Sequence, residues 1–339
     1  MITENFGVLP SGEQVSLYTI SCGPVTAKVS DLGATLVSLL VPDSRGELAD
    51  VVLGYDDAMG YYTGSAFLGA TVGRNANRVK NACFPLNGQL IRLTPFERSN
   101  NLHSGMDFFH RRLWKTELRS DNSITFRLNS PSGDQGFPGS AVIRVTYTLE
   151  YPSSLRITYN ALSDTDTVFN LTNHSYFNLA GHDHPEKAME QTLMMPARYF
   201  TPSDRCFIPT GEVRSVAGTP MDFRSPKPLN RDIGMDYESL RLQGGFDHNF
   251  EVFCAPCAVL MDPHSGRAMA VTTDCPGLQL YTANGTNENG KGGIHYGKRS
   301  GVCLETQFYP DSVNHPEWKQ PFTKANTPYN SETVYRFSW

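Results

Sequence analysis

Apolar and polar positions alternate along this chain with a period of two. The alternation is clear in Val25-Thr-Ala-Lys-Val29, Ile124-Thr-Phe-Arg-Leu128, Ile143-Arg-Val-Thr-Tyr-Thr-Leu149, Leu155-Arg-Ile-Thr-Tyr159, Ala268-Met-Ala-Val-Thr272 and Thr333-Val-Tyr-Arg-Phe337. Successive side chains of a strand point to opposite faces, so each run predicts a strand with one face toward a core. Between the runs stand turn formers: Asp43-Ser-Arg-Gly46, Asn87-Gly88, Asn129-Ser-Pro-Ser-Gly-Asp134, Pro263-His-Ser-Gly266 and Asn284-Gly285. This is the punctuation of hairpins and meanders. Helical signal is confined to a short segment after Asp56-Asp57 and another near Asp232 to Leu240, where an acidic residue can cap or favour a first turn. No linker-like shift or low-complexity tract divides the chain. The pattern therefore predicts an all-β fold, one domain over residues 1–339, in which a large antiparallel sandwich with few short helices holds a site on its concave face. The Pro- and Gly-rich segments 201–231 and 284–301 are long enough to be active loops.

One stretch departs from the pattern. Asn170-Leu-Thr-Asn-His174-Ser-Tyr-Phe-Asn-Leu179 reads as strand through its Thr and aromatic residues, yet four Asn or His side chains suit a hydrophobic core face badly. One of its faces is expected to look into a polar cleft. The alternative is that the asparagines and His174 satisfy backbone around a strand end.

Composition narrows the partners. The chain has 339 residues, a net charge of −5, 15 Tyr and 19 Phe, which favours β structure and sugar-stacking surfaces and offers no basic field for a phosphate backbone. A small neutral substrate is expected, with no nucleic acid. The start, Met1-Ile-Thr-Glu-Asn-Phe-Gly-Val, lacks the basic and apolar regions of a signal peptide, and no segment has the apolar length to span a bilayer, so a cytoplasmic protein with no membrane partner is expected. Seven scattered cysteines point to reduced thiols. Cys254-Ala-Pro-Cys257 is read as a turn between two strands because no second CxxC completes a metal shell, and His182-Asp-His184 as loop polarity.

Four further stretches carry more polar function than strands or turns require: Gly73-Arg-Asn-Ala-Asn77-Arg78, Asn100-Asn-Leu-His103-Ser-Gly105, Gly245-Phe-Asp247-His-Asn249 and Cys303-Leu-Glu305-Thr-Gln-Phe-Tyr-Pro-Asp311. Glu305 sits inside the apolar run Gly301-Val-Cys-Leu-Glu-Thr-Gln-Phe. A carboxylate there needs partners or a raised pKa, and either makes it a functional candidate.

Together with Asp134-Gln-Gly-Phe-Pro-Gly139, Leu278-Gln-Leu-Tyr and Pro310-Asp-Ser-Val-Asn-His-Pro316, these motifs resemble, in order and spacing, the galactose mutarotase (aldose 1-epimerase) family. The resemblance implies a β-supersandwich, no cofactor, no metal, and a free aldohexose such as galactose or glucose as the partner. It further implies that His174 is the general acid at the ring oxygen, Glu305 the general base at the anomeric hydroxyl, and His103 an assistant on the ring-oxygen side. Asn77, Arg78, Tyr176, Asp247 and Gln279 are implied to bind hydroxyls. The chain departs from the family pattern at Ser104, where Gly is usual, and at Tyr281-Thr-Ala-Asn-Gly, which replaces a more common Tyr-Thr-Gly-Asn-Phe and removes an aromatic residue beside the sugar.

Three rival functions use the same residues. A glycoside hydrolase would pair Glu305 with Asp247. A sugar-binding module would need the cleft without the acid and base. A hexose-6-phosphate epimerase would need a basic cluster at the cleft mouth, for which Arg111-Arg112 is the candidate pair.

Overall fold

The computed structural model describes residues 2–339, and every one of the six alternating runs is a strand or lies within one. Three larger sheets dominate the described residues. A five-stranded meander, residues 2–50, leads the chain. The largest sheet has nine strands, in the spatial order Lys115–Arg119, Ser123–Ser130, Ala141–Glu150, Ser154–Ser163, Tyr329–Ser338, Ala268–Thr273, Ala258–Met261, Thr192–Met194 and Lys227–Pro228. All its pairings are antiparallel. The carboxyl-terminal strand Tyr329–Ser338 lies at its middle, so closing the sheet requires the end of the chain.

The third sheet has six strands, in the order Tyr176–Phe177, Val302–Gln307, Gly277–Tyr281, Asp247–Glu251, Tyr199–Thr201 and Arg214–Ser215. Its apolar face, with Phe177, Phe250, Leu278, Leu280, Val302 and Leu304, shares one buried cluster with Ile143, Val145, Tyr147, Ile157 and Tyr335 of the nine-stranded sheet. Aligned packing of two such faces is what period-two alternation predicts. Because Val302–Gln307 is buried on both faces, its own alternation is masked in the sequence as a nearly continuous run.

Elements decided by neighbours in sequence form where the pattern places them. The helix Ala58–Thr63 begins at Asp57, whose carboxylate accepts from the backbone N–H of Gly60. Cys254 to Cys257 form a bend between the strands Asp247–Glu251 and Ala258–Met261. The expected helix from Asp232 to Leu240 needs correction. Two shorter helices, Leu229–Asp232 and Glu238–Gln243, flank a break, and Asp232 ends the first instead of starting one. Its carboxylate is held by Lys227 and Arg231 at 2.7 and 2.8 Å, partners five and one residues upstream that compete with capping. Among the described residues no helix is long and apolar enough to cross a membrane.

Arg74 anchors the loop that leads into the site. Its side chain has no exposure, and its guanidinium donates to the carbonyls of Ser130, Pro131, Pro138 and Gly139 and to the hydroxyl of Ser130 at 2.9–3.1 Å. Ser130 in turn donates to Asp134, which Arg112 grips with two bonds of 2.7 Å. Burial, with the charge of Arg112 adding to it, lowers the Arg74 pKa to about 10, and the nearby Asp134 opposes that fall. The planar five-donor fork of Arg suits four carbonyls where an apolar residue would leave them unpaired. Arg74→Leu is expected to lower stability by about 3–5 kcal/mol in urea titration. A loss below about 1 kcal/mol would show that the carbonyls find other donors.

Candidate active site

The polar face of the six-stranded sheet carries the site as two cross-strand rows. Register places Asp247, Tyr281, Cys303 and Tyr176 side by side in one row, and Asn249, Gln279 and Glu305 in the next. Residues opposite one another in neighbouring strands share a face, so three separate sequence motifs converge without any loop having to fold over. Asp247 is further fixed by Gln279, whose Nε2 donates to its Oδ1 at 2.6 Å.

His174 reaches this face from the strand Thr172–His174, which pairs with Ala70–Val72. The neighbouring turn needs Gly69, with φ +66°, because a Cβ there would stand 2.0 Å from the Leu36 carbonyl, and its N–H donates to the His174 carbonyl at 3.0 Å. The imidazole lies between the rings of Tyr176 and Phe67, with centroids at 5.1 and 5.9 Å and both near parallel. Its Nε2 is 3.7 Å from Glu305 Oε2, and its Nδ1 is 3.6 Å from Cys303 Sγ. Glu305 is 2% exposed, and its Oε2 has no hydrogen-bond donor among the described residues.

Electrostatics follows from burial. Loss of water pushes the Glu305 carboxyl well above its ordinary value; the Asp247 charge adds to this and Arg78 opposes it. Burial pulls His174 down to about 4, and Asp247 is raised by burial against the pull of Arg78 and Gln279. His103 is held well below the usual imidazole range by burial and by His174, Arg78 and His110. Its Nδ1 accepts the backbone N–H of Asn77 at 3.2 Å, so a neutral His103 carries its proton on Nε2.

Two loops complete the wall. Asn77, His103 and Ser104 all have left-handed backbone, with φ of 62°, 51° and 68°. The N–H of His103 donates to the Asn77 carbonyl, and the Ser104 hydroxyl both accepts from the Asn75 N–H at 2.8 Å and donates to the Asn75 carbonyl at 3.1 Å. Arg78 makes a two-point pair with Glu97 at 2.6 and 3.1 Å, and its guanidinium lies 4.7 Å above the Phe207 ring.

These elements enclose a cleft of about 420 Å³. Of the residues expected at the site, His174, Glu305, His103, Asn77, Arg78, Tyr176 and Asp247 all line it, while Gln279 stands behind Asp247 and outside the lining. The stretch from Asn170 divides in the same way. His174 and Tyr176 face the cleft, whereas Asn170, Asn173 and Asn178 spend their amides on backbone carbonyls at Ala76, Gly69 and His184. Both Pro/Gly-rich segments contribute, the first through Phe207 and the second through Asn284, Gly285, Thr286 and Glu288. Sequence reasoning missed Glu97, Phe67, Phe207 and Gln243 as lining residues. No local signal marks them, although Phe207 lies in a segment already singled out by composition. Arg111 and Arg112 stand outside the cleft, and Arg112 is committed to Asp107 and Asp134. His182 bonds Tyr296 and His184 pairs with Glu186, away from the lining. Among the described residues the one group with the composition of a metal site is His174, Cys303 and Glu305 themselves.

Comparison with known proteins agrees with this geometry. The aldose 1-epimerase family model matches residues 16–336. The chain belongs to that family. Galactose mutarotase of Bos taurus is 38% identical, the match covering 98% of this chain and 97% of the relative, and aldose 1-epimerase of Haemophilus influenzae is 38% identical over 97% of each. Among solved structures, an aldose epimerase homologue from C. elegans superposes with a TM-score of 0.89 at 32% identity, covering 96% of this chain and 99% of its own. The fold is thus galactose mutarotase-like, and the protein is an isomerase that interconverts the anomers of aldoses. Of the two positions set apart from the pattern above, Ser104 is buried beside the cleft wall in a conformation that favours Gly and is held by two hydrogen bonds, while Gly285 lines the cleft and donates its N–H to the Tyr281 hydroxyl at 3.1 Å.

Burial of histidines has a consequence for acid stability. His110 is lowered to about 3 by burial, with Arg111 and His174 adding to the effect, and its ring stacks on Phe108 at 5.2 Å. A depressed imidazole contributes stability that is fully present above the unfolded value near 6.5 and is lost as pH falls toward the folded value, because the unfolded chain binds the proton first. His110→Phe removes that titration and keeps a ring in the stack. The urea midpoint of the variant is expected to fall less than that of the wild type between pH 6.5 and pH 4.5. Equal slopes would mean that His110 is accessible to protons in the folded state.

Proposed function

We propose that the protein interconverts the α and β forms of a free aldohexose such as galactose or glucose, with Glu305 as base and His174 as acid. The observation that carries this is the 3.7 Å approach of His174 Nε2 to a Glu305 oxygen that has no other partner. In a cyclic sugar the ring oxygen and the anomeric hydroxyl are bonded to the same carbon. An acid and a base this close together can therefore serve both at once.

Glu305 takes the proton from the anomeric hydroxyl as protonated His174 gives one to the ring oxygen. The C1–ring oxygen bond breaks, an aldehyde forms, and the pair is left as neutral His174 and protonated Glu305. Rotation about C1–C2 presents the other face of the aldehyde, and closure returns both protons. Burial favours the neutral arrangement of the pair, which is the one that ring opening produces, and the proximity of the two charges favours the ionised one, which starts it.

His103, with Nε2–H available, is placed to donate on the ring-oxygen side. Arg78, Asn77 and the free Oδ2 of Asp247 are suited to grip distant hydroxyls, since charge-assisted hydrogen bonds are the stronger ones. Gln279 acts on the sugar through Asp247. Tyr176, whose hydroxyl donates to the Ala66 carbonyl at 2.8 Å, offers a ring and not a hydroxyl. Among the described residues Arg78 is the one Lys or Arg in the lining and is already paired with Glu97, which favours an unphosphorylated sugar over a hexose 6-phosphate. A binding module would have no use for an unpartnered buried carboxylate beside an imidazole.

Glu305→Gln and His174→Gln are each expected to lower kcat by at least ~10²-fold with unchanged urea midpoints, read by polarimetry on freshly dissolved α-galactose and α-glucose. Near wild-type turnover by either variant would remove that residue from the mechanism. Methyl β-galactoside is expected to inhibit competitively without change. It keeps the hydroxyls that the binding groups address and lacks the proton that Glu305 removes. Sustained release of reducing sugar would instead make the enzyme a glycosidase, whose acid protonates the exocyclic oxygen.

A further inference from the structure

The chemistry above leaves one neighbour of His174 without a function. Cys303 lies two residues before Glu305 on the same strand, so both side chains project from the same face. Its side chain is fully buried, and Sγ stands 3.6 Å from Nδ1 of His174, within the range of a hydrogen bond to sulfur. The faces of the imidazole are covered by Phe67 and Tyr176, and its Nε2 edge meets Glu305. Rotation of the ring about its axis is therefore limited by the rings on its faces, and which nitrogen meets the cleft is decided at the edges.

We propose that Cys303 is a positioning residue for the reaction, its sulfur accepting the Nδ1–H of His174 so that Nε2 is the nitrogen that exchanges a proton with the sugar. This rests on the reading of His174 and Glu305 as acid and base. The proton on Nδ1 stays in place through the cycle. Protonated His174 carries both N–H groups, gives up the one on Nε2, and is left as the Nδ1–H tautomer still bonded to Sγ. No tautomer switch is required between ring opening and closure.

The choice of sulfur matters. A carboxylate or carbonyl oxygen at Nδ1 raises imidazole basicity and would hold the proton on His174. A neutral thiol is a weak acceptor, so it orients the ring while adding little to the basicity that the His174 backbone already lends it. Burial, with the fields of Glu305 and Asp247 acting in the same direction, keeps the Cys303 thiol protonated far above neutral pH, which also makes it unreactive. The other titratable groups facing His174 are Glu305, His103, His110, Tyr176 and Tyr281, and none of their rings or oxygens is recorded in a hydrogen bond to Nδ1.

The test compares Cys303→Ala and Cys303→Ser with the wild type by polarimetry across pH 5–9, together with ¹⁵N NMR of the histidine side chains. Wild-type His174 is expected to show a protonated Nδ1 and an unprotonated Nε2 when neutral. Cys303→Ala should lower kcat about 10-fold, with KM for galactose within about twofold, and should mix the tautomers. Cys303→Ser should recover most of kcat and move the acidic limb of the kcat profile to higher pH, because a hydroxyl oxygen accepts more strongly. A Cys303→Ala enzyme with wild-type kcat and pH profile overturns the proposal, as does a wild-type His174 protonated on Nε2 alone. Loss of urea stability with an unmoved pH profile would make Cys303 a packing residue only, and the near-isosteric Ser variant decides the case if Ala does not fold. Full activity of the His174 and Glu305 variants would fail the underlying mechanism, whereas their inactivity beside an unaffected Cys303→Ala would fail the thiol's role alone.

Discussion

A strand has two faces, and in Val302–Gln307 both are buried. Val302 and Leu304 enter the core shared with the nine-stranded sheet, while on the other face Glu305 lines the cleft and Cys303 packs beneath its wall in a second buried cluster. Moving Glu305 by one position would expose the polar face to the core and the apolar face to the sugar. Each fully buried Leu or Val is worth about 1.5–3 kcal/mol, so the register is held by core packing far more firmly than by any contact of the carboxylate itself. The Glu305 carboxyl is thus held rigidly without a dedicated brace. The same argument covers Gln279 and Asp247, whose partners in the core are Leu278, Leu280 and Phe250.

Much of this was legible in the sequence because it depends on period and spacing. The six alternating runs, the hairpin turns, the Asp57 cap and the burial of Glu305 all follow from residues adjacent in the chain. The motif residues of the cleft were legible through resemblance. What stayed hidden depends on contacts far apart in sequence. Glu97 reads as an ordinary surface carboxylate until it is found on Arg78, and Gln279 reads as a sugar ligand until its amide is found on Asp247. The asparagines of the 170–179 stretch look chemical and are mostly structural, while Arg74, one position from Gly73 in a motif of sugar-binding appearance, holds five oxygens of a distant loop. Polar residues of these kinds look alike in sequence whether they face a ligand or a carbonyl.

The loops at the wall show how position is purchased with strain. Left-handed backbone at a residue with a Cβ costs roughly 1–2 kcal/mol, and Asn77, His103 and Ser104 all adopt it. The reciprocal bonds between Asn77 and His103, and the two between Ser104 and Asn75, tie the strained positions to one another. Neither loop can relax alone, so the tautomer of His103 and the placement of Asn77 are set together. Arg74 holds the far end of the first loop against the same relaxation.

Charge balance in the cleft is the last constraint, and it joins the scaffold to the chemistry. Arg78 stabilises ionised Glu305 and Asp247, while Asp247 destabilises the charge of Glu305 and Glu97 that of Asp247. An unpaired Arg78 would draw Glu305 further toward its ionised form. Glu97 takes two of the Arg78 N–H groups and spreads part of its charge, while Phe207 covers one face of the guanidinium. Glu305 therefore keeps a carboxyl raised by burial, beside an imidazole lowered by the same burial.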